Sequence, residues 1–140
     1  MALDLTGFKK AVASLKRAVT EAHSCEFMKK LTQEQQEIIR SGVIQNFEFT
    51  YELCWKFMKR WLERNLGSVY IDGISRRELF RLAAEYHLIQ DVLVWFDYHE
   101  ARNKTSHTYN EATAIDVFNA ATRFLNDAQG LLKALEERND

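Results

Sequence analysis

Hydrophobic residues recur three or four positions apart along almost the whole chain, the spacing that gives an α-helix one apolar face. Phe8, Val12, Leu15 and Val19 mark a first helix over about Leu5 to Glu26. Thr32, with Gln35 three residues on, has the pattern of a capping box, so a second helix starts there. It runs to Leu66, where Gly67 supplies a stop. At 1.5 Å per residue it is about 50 Å long, and a bend is expected near Ser41-Gly42. Its middle is apolar nearly all round: Phe47, Cys54, Met58 and Trp61 form one stripe, and Phe49, Leu53, Phe57 and Leu62 another. A helix apolar on every face must be covered on every face, which in so small a protein implies a second subunit on one of them.

A loop from Gly67 to Ile74 follows, then a second capping pattern, Ser75 with Glu78, opening a short helix to about His87. Another helix from about Asp91 carries Val92, Trp95, Phe96 and His99 toward Arg102. Asn110 caps a last helix whose inward positions read Ile115, Phe118, Ala121, Leu125, Ala128, Leu132 and Leu135. No strand pattern, repeat, linker or low-complexity stretch interrupts these elements. The expected fold is all-α: an antiparallel up-and-down bundle of four main helices and a short one, a single domain over residues 1–140, and dimeric.

Composition agrees. The chain has 140 residues and no proline, which suits continuous helix. No apolar run reaches the roughly 20 residues that cross a bilayer, and the start carries no signal-peptide core, so a cytoplasmic protein without membrane contact is expected. Cys25 and Cys54 are expected to be free, buried thiols rather than a disulfide. A net charge of −1 means that any contact with nucleic acid must be local. Arg102 and Lys104, with Lys56, Lys59, Arg60 and Arg64 on another helix, could supply it, or these last four could simply be a solvated helix face.

The candidate chemistry lies in Arg102-Asn103-Lys104-Thr105-Ser106-His107-Thr108-Tyr109. Arg102 can grip a phosphate or carboxylate with two donors at once. The imidazole of His107 is the side chain best suited to exchange a proton near neutral pH. Tyr109 offers a phenol for hydrogen bonding or modification. Five residues of continuous helix would turn Arg102 and His107 roughly 140° apart, so they converge only if the helix ends between them. Thr105-Ser106 favours such an end. His107 and Tyr109 would share a side if the chain there is extended. Glu48 and Glu52, four apart on the long helix, make either a paired-carboxylate acid/base site or a solvated or arginine-paired face. His23, His87 and His99 are expected to be structural. No cysteine–histidine spacing suggests a metal site, and no glycine-rich phosphate loop is present.

Arg102-x4-His107-x-Tyr109 resembles the R-x4-H-x-Y signature of the HepT-like branch of the HEPN superfamily. The stretch from Arg40 to Lys56 is similar to a second block of that branch, with Cys54 where a small residue such as alanine is expected. Members are described as nucleotidyltransferase substrate-binding proteins. The resemblance implies a toxin of a toxin–antitoxin pair: a metal-independent endoribonuclease acting on RNA through Arg102 and His107, at a cleft between two copies in a homodimer. Asn103 would support the pair. It further implies a cognate minimal nucleotidyltransferase, the antitoxin, that transfers AMP from ATP to Tyr109. No cofactor is implied. The alternative is a non-catalytic nucleotide- or substrate-binding subunit of a two-component nucleotidyltransferase. The chain lacks the glycine-serine and paired-aspartate pattern of the transferase itself.

Overall fold

Side-chain caps open five of the seven α-helices in the computed structural model, which describes residues 2–139. Its helices are α1 (Thr6–Ala22), α2 (Cys25–Lys29), α3 (Gln33–Leu66), α4 (Ser68–Ile71), α5 (Arg76–Glu85), α6 (Val92–Asn103) and α7 (Glu111–Glu137), with a 3-10 turn at Lys104–His107. Thr32 and Gln35 form the full reciprocal box at the start of α3: Thr32 Oγ1 accepts from the Gln35 N–H, and Gln35 Oε1 accepts from the Thr32 N–H. Ser75, Asp91 and Asn110 cap α5, α6 and α7 by accepting from Glu78, Leu93 and Thr113 N–H groups. Each cap satisfies a backbone donor that the first helical turn leaves unpaired. Gly67, at φ +95°, ends α3 in a conformation that other residues rarely adopt.

The first helix is shorter than its apolar pattern suggests. It stops at Ala22 rather than near Glu26, because Ser24 takes an extended conformation and its hydroxyl caps a new helix by accepting from the Phe27 N–H. The expected loop after Gly67 also contains one helical turn, α4, which buries Ile71. Helix α3 continues unbroken through Ser41-Gly42.

The four long helices alternate in direction. Phe8 stacks on Phe57 and Thr50 bonds the Ala11 carbonyl, so α1 runs antiparallel to α3. His99 meets Tyr51 and Arg102 meets Glu48, so α6 does the same. Helix α7 lies parallel to α3, with Phe124 against Phe47. Phe124 is fully buried at the centre and meets Phe47, Trp95 and Tyr98 edge to face at ring separations of 5.1–5.7 Å. Such pairs add roughly 0.5–1.5 kcal/mol each beyond the area they bury. No strand forms among the described residues. No helix is long and apolar enough to cross a membrane.

Two expectations need correction: which face of α7 turns inward, and the burial of Cys25. The buried stripe of α7 is Val117, Ala120, Ala121, Phe124, Ala128, Leu131, Leu132 and Leu135, so Ile115 is half exposed and Phe118 and Leu125 lie at the core's margin. Spacing alone could not choose between two overlapping apolar stripes, and the fit of Phe124 among Phe47, Tyr51, Trp95 and Tyr98 decides it. Helix α3 buries only one broad side within the chain: Phe49 is 61% exposed, while Leu53, Trp55 and Trp61 are half-buried. Both cysteines are free; Cys54 is buried as expected, but Cys25 is exposed at the start of α2. Burial pushes the Cys54 thiol pKa well up, with the Asp127 charge adding to the effect.

Candidate functional site

Helix α6 ends one residue after Arg102, and Thr105 finishes it. The buried Thr105 hydroxyl donates to the Arg102 carbonyl at 2.8 Å and accepts from Arg102 Nη1 at 3.1 Å. One side chain thus closes the helix end and fixes the guanidinium, and the backbone tightens into the 3-10 turn. On its other side Arg102 meets α3. Its Nε lies 3.3 Å from Glu52 Oε1, and Nη1 lies 3.8 Å from Glu48 Oε2. The Nε–H is buried and not aimed at an acceptor, so the contact with Glu52 is an ion pair without a directed hydrogen bond. Glu48 and Glu52 are therefore an arginine-paired face. Glu52 also accepts from Trp55 Nε1 at 2.9 Å.

His107 is exposed at the end of the 3-10 turn, and its ring makes no hydrogen bond among the described residues. It meets Tyr109 edge to face, with ring centres 5.9 Å apart. The two rings come together through a turn rather than an extended chain: the Asn110 N–H donates to the His107 carbonyl across Thr108. Tyr109 is 86% exposed, at the mouth of a cavity of about 630 Å³ between α3 and α7 lined by Arg40, Ile44, Ile115 and Asn119. Asn103 lies elsewhere, in a groove between α5 and α6. The structure therefore joins His107 to Tyr109, anchors Arg102 separately, and turns Asn103 to the adjoining groove.

That groove holds residues with no motif of their own. The Tyr51 hydroxyl, fully buried, forms a 2.7 Å hydrogen bond with His99 Nδ1 and accepts from Arg76 Nη1 at 3.4 Å. Either the phenol donates to Nδ1, with the proton of the neutral ring on Nε2, or Nδ1–H donates to the phenol oxygen, which has a second lone pair for Arg76. Burial pushes the Tyr51 phenol up to about 12, against the opposing effect of Arg76. Burial also lowers the His99 pKa, helped by Arg76 and opposed by Glu52. Arg76 lies 3.7 Å over the Trp55 ring. A connected set thus runs from Arg102 through Glu52 and Trp55 to Arg76, Tyr51 and His99. Only adjacent arginines after a helix cap hint at it in the sequence.

Residues 3–137 match the family model described as nucleotidyltransferase substrate binding protein like. The chain belongs to that family. A Haemophilus influenzae protein named a probable ribonuclease HepT is 33% identical over 138 residues, covering 98% of this chain and 94% of the relative. A solved structure from the same organism, described as the fold of a substrate binding domain of a nucleotidyltransferase, superposes with a TM-score of 0.91 at 31% identity. It covers 95% of this chain and 99% of its own. A Thermus thermophilus structure superposes with a TM-score of 0.66 at 29% identity, over 94% of this chain and 97% of that one. The HepT-like resemblance read from the motif therefore stands, on an all-helical fold.

Other polar groups of this HepT-like protein have local tasks. His23 Nε2 bonds Thr122 Oγ1, and His87 sits at φ +62° just past α5, where Arg138 donates to its carbonyl. Lys59 pairs with Glu63 and Arg60 lies over Phe57, as on a solvated face, whereas Lys56 lies 5.7 Å from the Trp55 ring centre. Among the described residues, no three histidine, cysteine or acidic side chains gather closely enough to hold a metal ion.

Proposed function

We propose that this HepT-like protein is an endoribonuclease whose cleavage is carried by Arg102 and His107 without metal. The observation that carries the reading is the helix end itself, where an anchored guanidinium and an exposed, unengaged imidazole flank one 3-10 turn. The naming of the Haemophilus influenzae relative as a probable ribonuclease supports it. His107 takes the proton of a ribose 2′-hydroxyl, whose oxygen attacks the adjacent phosphorus. The 5′-oxygen of the next nucleotide leaves and is protonated by an imidazolium, giving a 2′,3′-cyclic phosphate and a 5′-hydroxyl. Arg102 stabilises the charge that builds on the phosphoryl oxygens. Asn103 assists from the adjoining groove.

The protein acts as a homodimer in the cytoplasm. Phe49, exposed on α3 next to Glu48, with Leu53 four residues on, supplies an apolar face beside Arg102 for a second copy. Two motifs then share one cleft. A cognate nucleotidyltransferase is the antitoxin. In its reaction the Tyr109 phenol oxygen attacks the α-phosphorus of ATP, pyrophosphate leaves, and AMP is placed against the His107 ring, blocking the site.

A second reading is a binding subunit without catalysis. It is favoured by the two carboxylates already neutralising Arg102 and by the substrate-binding description of the Haemophilus influenzae structure. Incubating defined RNA with wild type and His107→Ala in EDTA separates the two. Cleavage to cyclic-phosphate ends by wild type alone supports the ribonuclease. No cleavage by protein shown by mass to lack AMP supports the binding subunit.

A further inference from the structure

The groove between α5 and α6 has a volume of about 680 Å³, and Arg76, Arg77, Phe96, Asp97, His99 and Asn103 are among its walls. Two of its walls are arginines held against aromatic rings. Arg76 lies over Trp55 at 3.7 Å and donates to buried Tyr51, and Arg77 lies over Phe96 at 4.6 Å. Neither has a carboxylate within ion-pair distance among the described residues. By contrast, Arg81, one turn further along α5, is taken by Glu78 at 2.5 Å.

Stacking on an aromatic face uses the plane of a guanidinium and leaves donors at its edge free. Two neighbouring positive charges repel, and without an internal counter-ion an external anion relieves both. The acidic residues on the opposite wall are Asp97 and Glu100, and Glu100 is engaged by Lys104 at 3.8 Å. The balance is positive on the α5 side, in a chain whose overall charge is −1. His99, held by Tyr51 at Nδ1, also lines the groove. The groove also reaches Asn103, next to Arg102 in sequence.

We infer that the α5–α6 groove is a binding site for the phosphodiester backbone of single-stranded RNA, with Arg76 and Arg77 each taking one phosphate. The inference rests on the ribonuclease reading and extends it, giving the substrate strand a path away from Arg102 and His107. The aromatic-backed guanidiniums suit an unpaired strand, whose exposed bases can meet the Phe96 edge of the groove while its phosphates meet the arginines.

The test measures binding of a short fluorescent single-stranded RNA by anisotropy, in EDTA and in the non-cleaving His107→Ala background, across a salt series. Each phosphate contact adds about 0.7 to the slope of log affinity against log salt for a single strand. Arg77→Gln should lower that slope by about 0.7, and Arg76→Gln with Arg77→Gln by about 1.4. Lys10→Gln with Lys16→Gln, on exposed α1, removes the same charge far from the groove and should leave the slope unchanged. Arg77 is exposed, so its single variant remains decisive if the double variant does not fold. An unchanged slope in folded Arg77→Gln, with RNA still bound and wild type still cleaving, overturns the groove and leaves the ribonuclease standing. Equal loss in the Lys10 and Lys16 control means diffuse attraction and also overturns it. Wild type that neither binds nor cleaves RNA overturns both readings.

Discussion

Removing the carboxylate that faces Arg102 should reveal how firmly α3 holds the motif. Glu52 Oε1 lies 3.3 Å from Arg102 Nε, and Glu48 Oε2 lies 3.8 Å from Nη1. At these separations two unit charges in water attract by about 1.3 and 1.1 kcal/mol. About a third of each side chain is open to solvent, so screening and side-chain entropy bring a measured pair toward the upper end of the surface range, about 1 kcal/mol. Glu52→Gln keeps an oxygen to accept from Trp55 Nε1 and removes only the charge, which isolates the ion pair. Equilibrium urea unfolding of wild type, Glu52→Gln, Arg102→Gln and the double variant gives a coupling free energy. We expect about 1 kcal/mol at low salt, reduced in 1 M NaCl, where the screening length falls to about 3 Å. Additivity of the two single changes within about 0.3 kcal/mol would refute the claim that Glu52 holds Arg102 by charge. In that case Thr105 and Glu48 position the guanidinium.

Three further outcomes follow from named contacts. The folded pKa of His99 lies below its unfolded value, so unfolded chains bind more protons as pH falls below about 6.5 and stability declines there. The stability advantage of wild type over His99→Gln should therefore shrink from pH 7.5 to pH 5.5 in urea melts, and a constant difference would count against it. His87→Gly should stabilise by about 1 kcal/mol, since φ +62° strains any residue with a Cβ; calorimetry showing no rise in Tm would contradict this. Tyr109→Phe should still cleave RNA while taking no label from radioactive ATP in the presence of the transferase, and a labelled variant would place the acceptor elsewhere.

Features decided by a few neighbouring residues were legible in the sequence. Thr32 with Gln35, Ser75, Asp91 and Asn110 all cap where their side chains suggest, and Gly67 stops α3. The helix end between Arg102 and His107 follows from Thr105, whose hydroxyl competes for the backbone. The break at Ser24 was not legible, because the apolar spacing that marks α1 ends at Val19 and does not fix where the helix stops. Contacts between distant parts of the chain were not legible. Nothing near Tyr51 announces His99, 48 residues away, and nothing near Arg76 announces Trp55. The arginine pairing of Glu48 and Glu52 was one open alternative, and only the packing of α6 on α3 selected it.

Arg40 beside the Tyr109 cavity, Glu48 and Glu52 beneath Arg102, and Tyr51 and Trp55 beneath Arg76 all belong to one uninterrupted helix. From Arg40 to Trp55 that is about 22 Å of rigid rod, with each partner assigned a fixed height and azimuth. Adding or deleting one residue within this stretch would rotate everything beyond it by about 100° and slide it by about 1.5 Å, uncoupling several contacts in a single event. The same change at Asp72-Gly73, exposed beyond the buried Ile71, falls in a turn that can absorb it. Length variation in this protein should thus be accommodated at the turns, while the middle of α3 keeps a strict residue count.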